Sequence, residues 1–319
     1  MLTPGFWVSD NAISRALIPA SLAYGAIAAQ RRDANPYRAP VPVICIGNAT
    51  AGGSGKTPTA MAVAACARSR GIDVHFLSRG YGGNLKGPVR VDTERHLATD
   101  VGDEPLLLAS VAPTWVARDR AAGAQAAVET GARLIVMDDG MQNPHIVKDV
   151  TLLVIDGAYG IGNGRIIPAG PLRQNFGEAL AAATAVVIIG SDRTMITERV
   201  SGAKPVLSAN LVAKPHDLAG CRSVAFAGIG RPEKFRETLL AEDVDIVGWF
   251  PFGDHHRYTK QEFENLVQRA ETASARLVTT QKDYVRLPPE YRPNVGVLDV
   301  ELVFGDATAL SAILDRIGA

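Results

Sequence analysis

The sequence predicts an α/β protein of two α/β units with mostly parallel sheets, and three observations carry that expectation. Short β-branched runs, VPVICIGN, DVHFLSRG, ARLIVMDDG, VTLLVIDG and TAVVIIG, alternate with alanine-rich stretches of helical spacing, as in a parallel sheet covered on both faces. A second series, RSVAFAGIG, VDIVGWFP and ARLVTTQKD, has the same character. The first strand runs straight into a glycine-rich turn and a helix. With 319 residues the chain is long enough for two such units, and 47% hydrophobic content supplies their cores.

Taken in order, residues 1–35 form an N-terminal segment that is mostly apolar from 12 to 29. Ile13, Leu17, Ala20, Tyr24 and Ile27 fall on one helical stripe, with Phe6 and Trp7 before it and Arg31 and Arg32 after it. A cleaved signal peptide is disfavoured because no basic region precedes the apolar part. Arg15 and Pro19 interrupt a segment already short for a spanning helix. Beside that spanning possibility two readings weigh equally: a membrane-associating helix lying in the interface, its arginines on anionic lipid, and a helix packed on the protein's own core.

The first α/β unit is expected over residues 36–204, with 305–319 returning to it. Its stretch VICIGNATAGGSGKTPTA, residues 43–60, has the composition of a phosphate-binding loop. Gly52, Gly53 and Gly55 allow a tight turn whose N–H groups face inward, and Lys56 and Thr57 open the helix. Thr50, Ala51, Gly52, Gly53, Ser54, Gly55, Lys56 and Thr57 would then cradle a nucleoside triphosphate with Mg²⁺: Lys56 on the outer phosphates, the Thr57 hydroxyl on the metal. The usual first glycine of such loops is replaced by Thr50.

In VGDEPLLLA, Asp103 and Glu104 precede Pro105 and an apolar helix, where carboxylates serve as caps or as catalytic groups. LIVMDDG places Asp138 and Asp139 at a strand end beside the glycine loop, the position from which an aspartate holds Mg²⁺. FLSRGYGG exposes Arg79 and Tyr81 after a strand, and GNGRIIPAGPLRQ carries Arg165 and Arg173 in a stiff loop suited to a second anion. KPVLSANLVA and NVGVLDVELV, within residues 205–217 and 295–304, are expected to pair as a two-stranded linker to a smaller unit at 218–294. That unit offers Asp254, His255 and His256 in FPFGDHHRYT, suited to proton transfer rather than to zinc, and Lys282 and Asp283 in TTQKDYVRL, which close over a substrate or cap a helix.

Thirty-three basic residues balance thirty-three acidic ones, so no global field favours nucleic acid and no nucleic-acid partner is expected. Three cysteines without metal-ligand spacing fit a reducing compartment.

The strings GNATAGGSGKTP, LSRGYGG, GDEPLLLA, DDGMQ, GNGRIIPAGPLR, FAGIGRPEKF, DHHRYT and TTQKDYVRL, in family order, closely resemble the tetraacyldisaccharide 4′-kinases, the lipid A 4′-kinases of Gram-negative envelope synthesis. The family's loop also lacks the first glycine. The resemblance implies transfer of the ATP γ-phosphoryl group to the 4′-hydroxyl of a tetraacylated glucosamine disaccharide 1-phosphate. It further implies two α/β/α domains with the site between them, Mg²⁺, and attachment to the cytoplasmic face of the inner membrane; no obligatory protein partner is expected. By the same route Asp103 and His255 resemble the family's catalytic pair, with Lys56 at the phosphate and Glu104 on the Mg²⁺ side. Tyr81, Arg120 and Arg173 resemble substrate contacts. Phe252 and Gly253 lengthen the turn relative to the commoner FPDHH, so His255 and His256 both stand as candidates for the base. Asn143 and Gln174 replace a histidine and a glutamate common in the family. The alternative is a phosphate-loop ATPase or GTPase switch or metallochaperone; the guanine-reading Asn-Lys-x-Asp string is absent.

Overall fold

The computed structural model describes residues 4–29 and 35–318, and it contains two sheets among them. The strands in chain order are β1 Val43–Gly47, β2 Val74–Ser78, β3 Val89–Arg90, β4 Thr114–Val116, β5 Leu134–Asp138, β6 Val150–Asp156, β7 Ala185–Ile189, β8 Val206–Ala213, β9 Arg222–Ala227, β10 Asp245–Pro251, β11 Arg276–Thr280, β12 Val295–Leu298 and β13 Val300–Phe304. The larger sheet runs β13-β8-β7-β6-β1-β5-β2-β4-β3 and the smaller β10-β9-β11-β12. The smaller sheet is wholly parallel, and the larger is antiparallel only at its two edge pairs, β13–β8 and β3–β4.

Helices cover both faces of each sheet, which explains why β1, β2, β5, β6 and β7 are buried along their whole length and read as continuous apolar runs. Helix Lys56–Ser69 and the last helix, Ala307–Arg316, bury Val63, Ala64, Leu310, Ile313 and Leu314 against one face of the larger sheet. Helices Arg120–Glu129 and Phe176–Ala182 cover the other with small residues such as Ala124, Ala127 and Ala179. In the smaller unit Phe263, Leu266 and Ala270 of helix Lys260–Thr272 pack on one face, and Phe235 and Leu239 of helix Pro232–Ala241 on the other.

The run expected as one linker strand at 295–304 divides at Asp299. β12 joins the smaller sheet beside β11, whereas β13 pairs with β8 from Val300↔Ala213 to Phe304↔Ala209. β8 in turn pairs parallel with β7, so these strands extend the edge of the larger sheet instead of standing between two sheets. The short β3 and β4 carry no run long enough to stand out in the sequence.

The N-terminal segment forms two helices, Ala12–Ala16 and Ile18–Ala29, instead of one. Asn11 caps the first through Ser14, and Pro19, which has no N–H to donate, falls in the first turn of the second. Ser14 and Ser21 are buried, while Ile13 and Leu22 are 58% and 70% exposed. Ile27 of the expected stripe, and Arg31 and Arg32 beside it, lie outside the described side chains. No helix among the described residues is long and apolar enough to cross a membrane.

Candidate active site

The glycine-rich turn follows β1 at the centre of the larger sheet, so its N–H groups and the start of helix Lys56–Ser69 lie at the carboxyl end of the parallel strands. Gly55 has φ +88, and a Cβ there would lie 2.4 Å from Ile189 Cδ1, so only glycine fits. Lys56 and Thr57 are buried. The Thr57 hydroxyl donates to Asp138 Oδ2 at 2.9 Å, and Lys56 Nζ lies 3.8 Å from Asp139 Oδ1. Ser54 Oγ and Asp138 Oδ1 are buried and have no hydrogen-bond partner among the described residues. Burial, then the charge of Glu104, push the Asp138 carboxyl up to about 7 against the opposing pull of Lys56 and Thr57. Buried polar atoms without partners mark a site shaped for something absent, and hard oxygen donors at a phosphate loop fit Mg²⁺. Among the described residues no three His, Cys, Asp or Glu side chains form a metal cage. Mg²⁺ at a phosphate site needs no more than one or two carboxylates, because phosphates and water complete its shell.

Asp103 opens helix Asp103–Ala109 and is 4% exposed. His255 of the smaller unit brings Nδ1 to 3.1 Å from Asp103 Oδ2. His256 instead bonds Glu262 at 3.1 Å, inside the capping box of helix Lys260–Thr272. Of the two candidates, then, the fold brings His255 to the carboxylate, because the turn puts His255 at φ +56. Burial alone would raise the Asp103 carboxyl, but the His255 bond and the Lys282 and Arg286 charges outweigh it and hold it well below the usual carboxylate range. Tyr81 sets its ring 5.2 Å from that of His255. Glu104 accepts from Lys282 at 2.9 Å.

A family model described as tetraacyldisaccharide-1-P 4′-kinase matches residues 13–318. The chain belongs to the tetraacyldisaccharide 4′-kinase family. It is 50% identical to the tetraacyldisaccharide 4′-kinase of Rhodospirillum centenum, covering 98% of this chain and 96% of that one, and 50% identical to that of Methylobacterium radiotolerans, covering 97% of each. Among solved structures it is similar to the "apo" form LpxK from Aquifex aeolicus in complex with ATP, with a TM-score of 0.78 and 26% identity over 96% of this chain and 99% of that one.

The remaining positions singled out in this kinase divide. Arg173 reaches Asp139 through Nη1 at 2.9 and 3.0 Å, so a residue expected at the substrate and one expected at the metal are partners here. Arg120 is buried with its Nη1 on Ala117 O, and burial, then Arg79, lower its pKa to about 10. Both arginines line a cavity of about 1420 Å³ that also takes in Arg79, Tyr81, Glu104 and Tyr24 of the N-terminal helix. Arg165 lines the same cavity but pairs with Asp10 at 3.0 Å, tying the N-terminal segment to its wall.

Four side chains of the site lie inside strings quoted above without being singled out there. Asp156 ends β6 and accepts from Lys234 at 2.7 Å and from Arg231, whose Nη2 lies 3.3 Å from Gly53 O of the glycine loop. Gly230 permits that approach, since a Cβ there would lie 2.8 Å from Gly53 N. Arg286 bonds Asp103 at 2.6 Å. For Asp156 the sequence does hold a clue: an aspartate ends VTLLVIDG as another ends LIVMDDG, on the strand beside the glycine-loop strand.

Proposed function

We propose that this kinase moves the γ-phosphoryl group of ATP to the 4′-hydroxyl of a tetraacylated glucosamine disaccharide 1-phosphate with His255 as the proton acceptor. The observation that carries the reading is the 3.1 Å contact between His255 Nδ1 and Asp103, bridging the two units. With Nδ1–H donated to the carboxylate, Nε2 keeps the free lone pair. It takes the hydroxyl proton as the sugar oxygen bonds to phosphorus and the bond to the ADP oxygen breaks. Asp103 fixes the tautomer and stabilises the imidazolium. Lys56, Gly55 and the loop N–H groups hold the phosphates. Thr57, Asp138, Asp139 and Glu104 would hold Mg²⁺, which supplies neutralisation of phosphate charge. Arg120, Arg173 and Tyr81 would face the sugar lipid from the cavity wall. Bringing the base from a second unit favours transfer to the sugar over transfer to water.

The test is incubation of purified protein with Mg²⁺, labelled ATP and the disaccharide 1-phosphate. A bisphosphorylated lipid is expected, and it should vanish in Lys56→Ala and Thr57→Ala. ATP turnover independent of the lipid would favour the switch reading instead.

The same reading puts the chain at the cytoplasmic face of the inner membrane, lying on it through the N-terminal helices. Its support is a pair of helices that turn Ser14 and Ser21 inward and leave Ile13 and Leu22, with Val8 ahead of them, to solvent. Ile13→Asp and Leu22→Asp should each weaken binding to anionic vesicles by roughly tenfold or more, because each forfeits about 1.5–3 kcal/mol of apolar burial. Unchanged flotation with vesicles would remove the membrane contact from this surface.

A further inference from the structure

We propose that Arg286 is the positioning residue that assembles the Asp103–His255 pair, an inference that rests on reading this pair as the proton-accepting dyad. His255 makes two donations that define its place: its backbone N–H to Gly228 O at 3.0 Å, and Nδ1 to Asp103 Oδ2 at 3.1 Å. Arg286 donates to the same two oxygens, Nη1 to Gly228 O at 2.6 Å and Nε to Asp103 Oδ2 at 2.6 Å. One guanidinium therefore spans the acceptor from the smaller unit and the acceptor from the larger one, and the imidazole is held between them.

The guanidinium is itself immobilised. Its Nη1 also reaches Asp283 Oδ1 at 2.9 Å. Asp283 is anchored by Gly228 N–H at 3.0 Å, by the Tyr258 hydroxyl at 2.8 Å and by the Thr280 hydroxyl at 2.7 Å. Side-chain exposure is 5% for Arg286 and zero for Asp283, so these bonds meet no competition from bulk water. The φ of +56 at His255 is a conformation that a side-chain-bearing residue keeps only where its surroundings over-determine it, and Gly228 O supplies that constraint. Lys282 does not substitute: its Nζ is 4.0 Å from Asp103 and 2.9 Å from Glu104. A lysine at 286 would keep the charge but could not fork to both acceptors.

Steady-state kinetics on Arg286→Gln, Arg286→Lys, His255→Ala and the double variant Arg286→Gln/His255→Ala test this. Misplacing a reacting group by about 1 Å costs roughly 10²-fold, so kcat of Arg286→Gln should fall by about that factor while KM for ATP stays within about twofold. Arg286→Lys, which preserves the buried charge and so guards against misfolding, should fall with Arg286→Gln, not with wild type. The double variant should be no slower than His255→Ala. Normal turnover by His255→Ala would overturn the dyad and the proposal together. A slow His255→Ala accompanied by wild-type kcat in Arg286→Gln and Arg286→Lys, or by losses that multiply in the double variant, would overturn the positioning role alone.

Discussion

Asp103 and Asp156 are two buried carboxylates of the larger unit, and each receives cations from the smaller one. Asp156 accepts from Arg231 and Lys234, and Arg231 leans on the glycine-loop carbonyl of Gly53. Asp103 accepts from Arg286, but its Oδ2 also takes the imidazole of His255. The electrostatics are alike and the consequences differ. Asp156 meets a guanidinium and an ammonium that both donate to it, the Lys234 ammonium lowered to about 8 by burial and then by Arg231, and these bonds tie the smaller unit to the phosphate loop. Asp103 meets an imidazole whose second nitrogen can take up a proton, so in the proposed mechanism the same kind of pair joins proton transfer. A buried cross-unit ion pair is thus no signature of chemistry until a group with a proton-accepting atom left free joins it.

The largest expected effect sharpens this contrast. Asp103→Ala and His255→Ala should each lower kcat by roughly 10²–10⁴, the range for a positioned general base, and the double variant should match the poorer single one. Asp156→Ala should act on binding: losing charged hydrogen bonds worth about 1.5–3 kcal/mol each should raise KM for ATP by roughly tenfold with a smaller change in kcat. An Asp156→Ala enzyme impaired in kcat as deeply as Asp103→Ala would break the distinction.

Acid stability gives a subtler test. The Asp103 carboxyl is depressed in the fold, so its contribution to stability is present above the unfolded value near 4 and is lost as pH falls below it. Asp103→Asn should therefore show a shallower loss of Tm than wild type between about pH 4 and pH 2; an unchanged slope would contradict the ionised pair.

The smallest effect is expected at His256, whose partner Glu262 belongs to a helix cap. His256→Ala should leave kcat within about threefold of wild type and cost about 1 kcal/mol of stability, the scale of one hydrogen bond. If this variant proves the crippled one, the base is the second histidine and the comparison must be redrawn around Glu262.

The parallel strands, the glycine loop with Lys56 and Thr57, and the aspartates at strand ends were legible because each follows from local spacing: period of apolar residues, turn chemistry, and residue types at the carboxyl ends of strands. The resemblance to a kinase family rested on strings of the same local kind. Tertiary structure alone decided which histidine meets Asp103, since His255 and His256 are chemically identical neighbours and a single left-handed backbone residue turns one toward a carboxylate 152 positions away. It also decided that Arg286 bonds Asp103, that Asp156 takes Arg231 and Lys234, and that Val295–Leu298 and Val300–Phe304 go to different sheets. The N-terminal helix shows the same limit, because a stripe of apolar residues states that one side differs from the other, and only the packing of Ser21 on Ile166 O and Ala169 N states which side faces the protein. Periodicity is a property of consecutive residues, whereas partnership depends on where the rest of the chain has been folded.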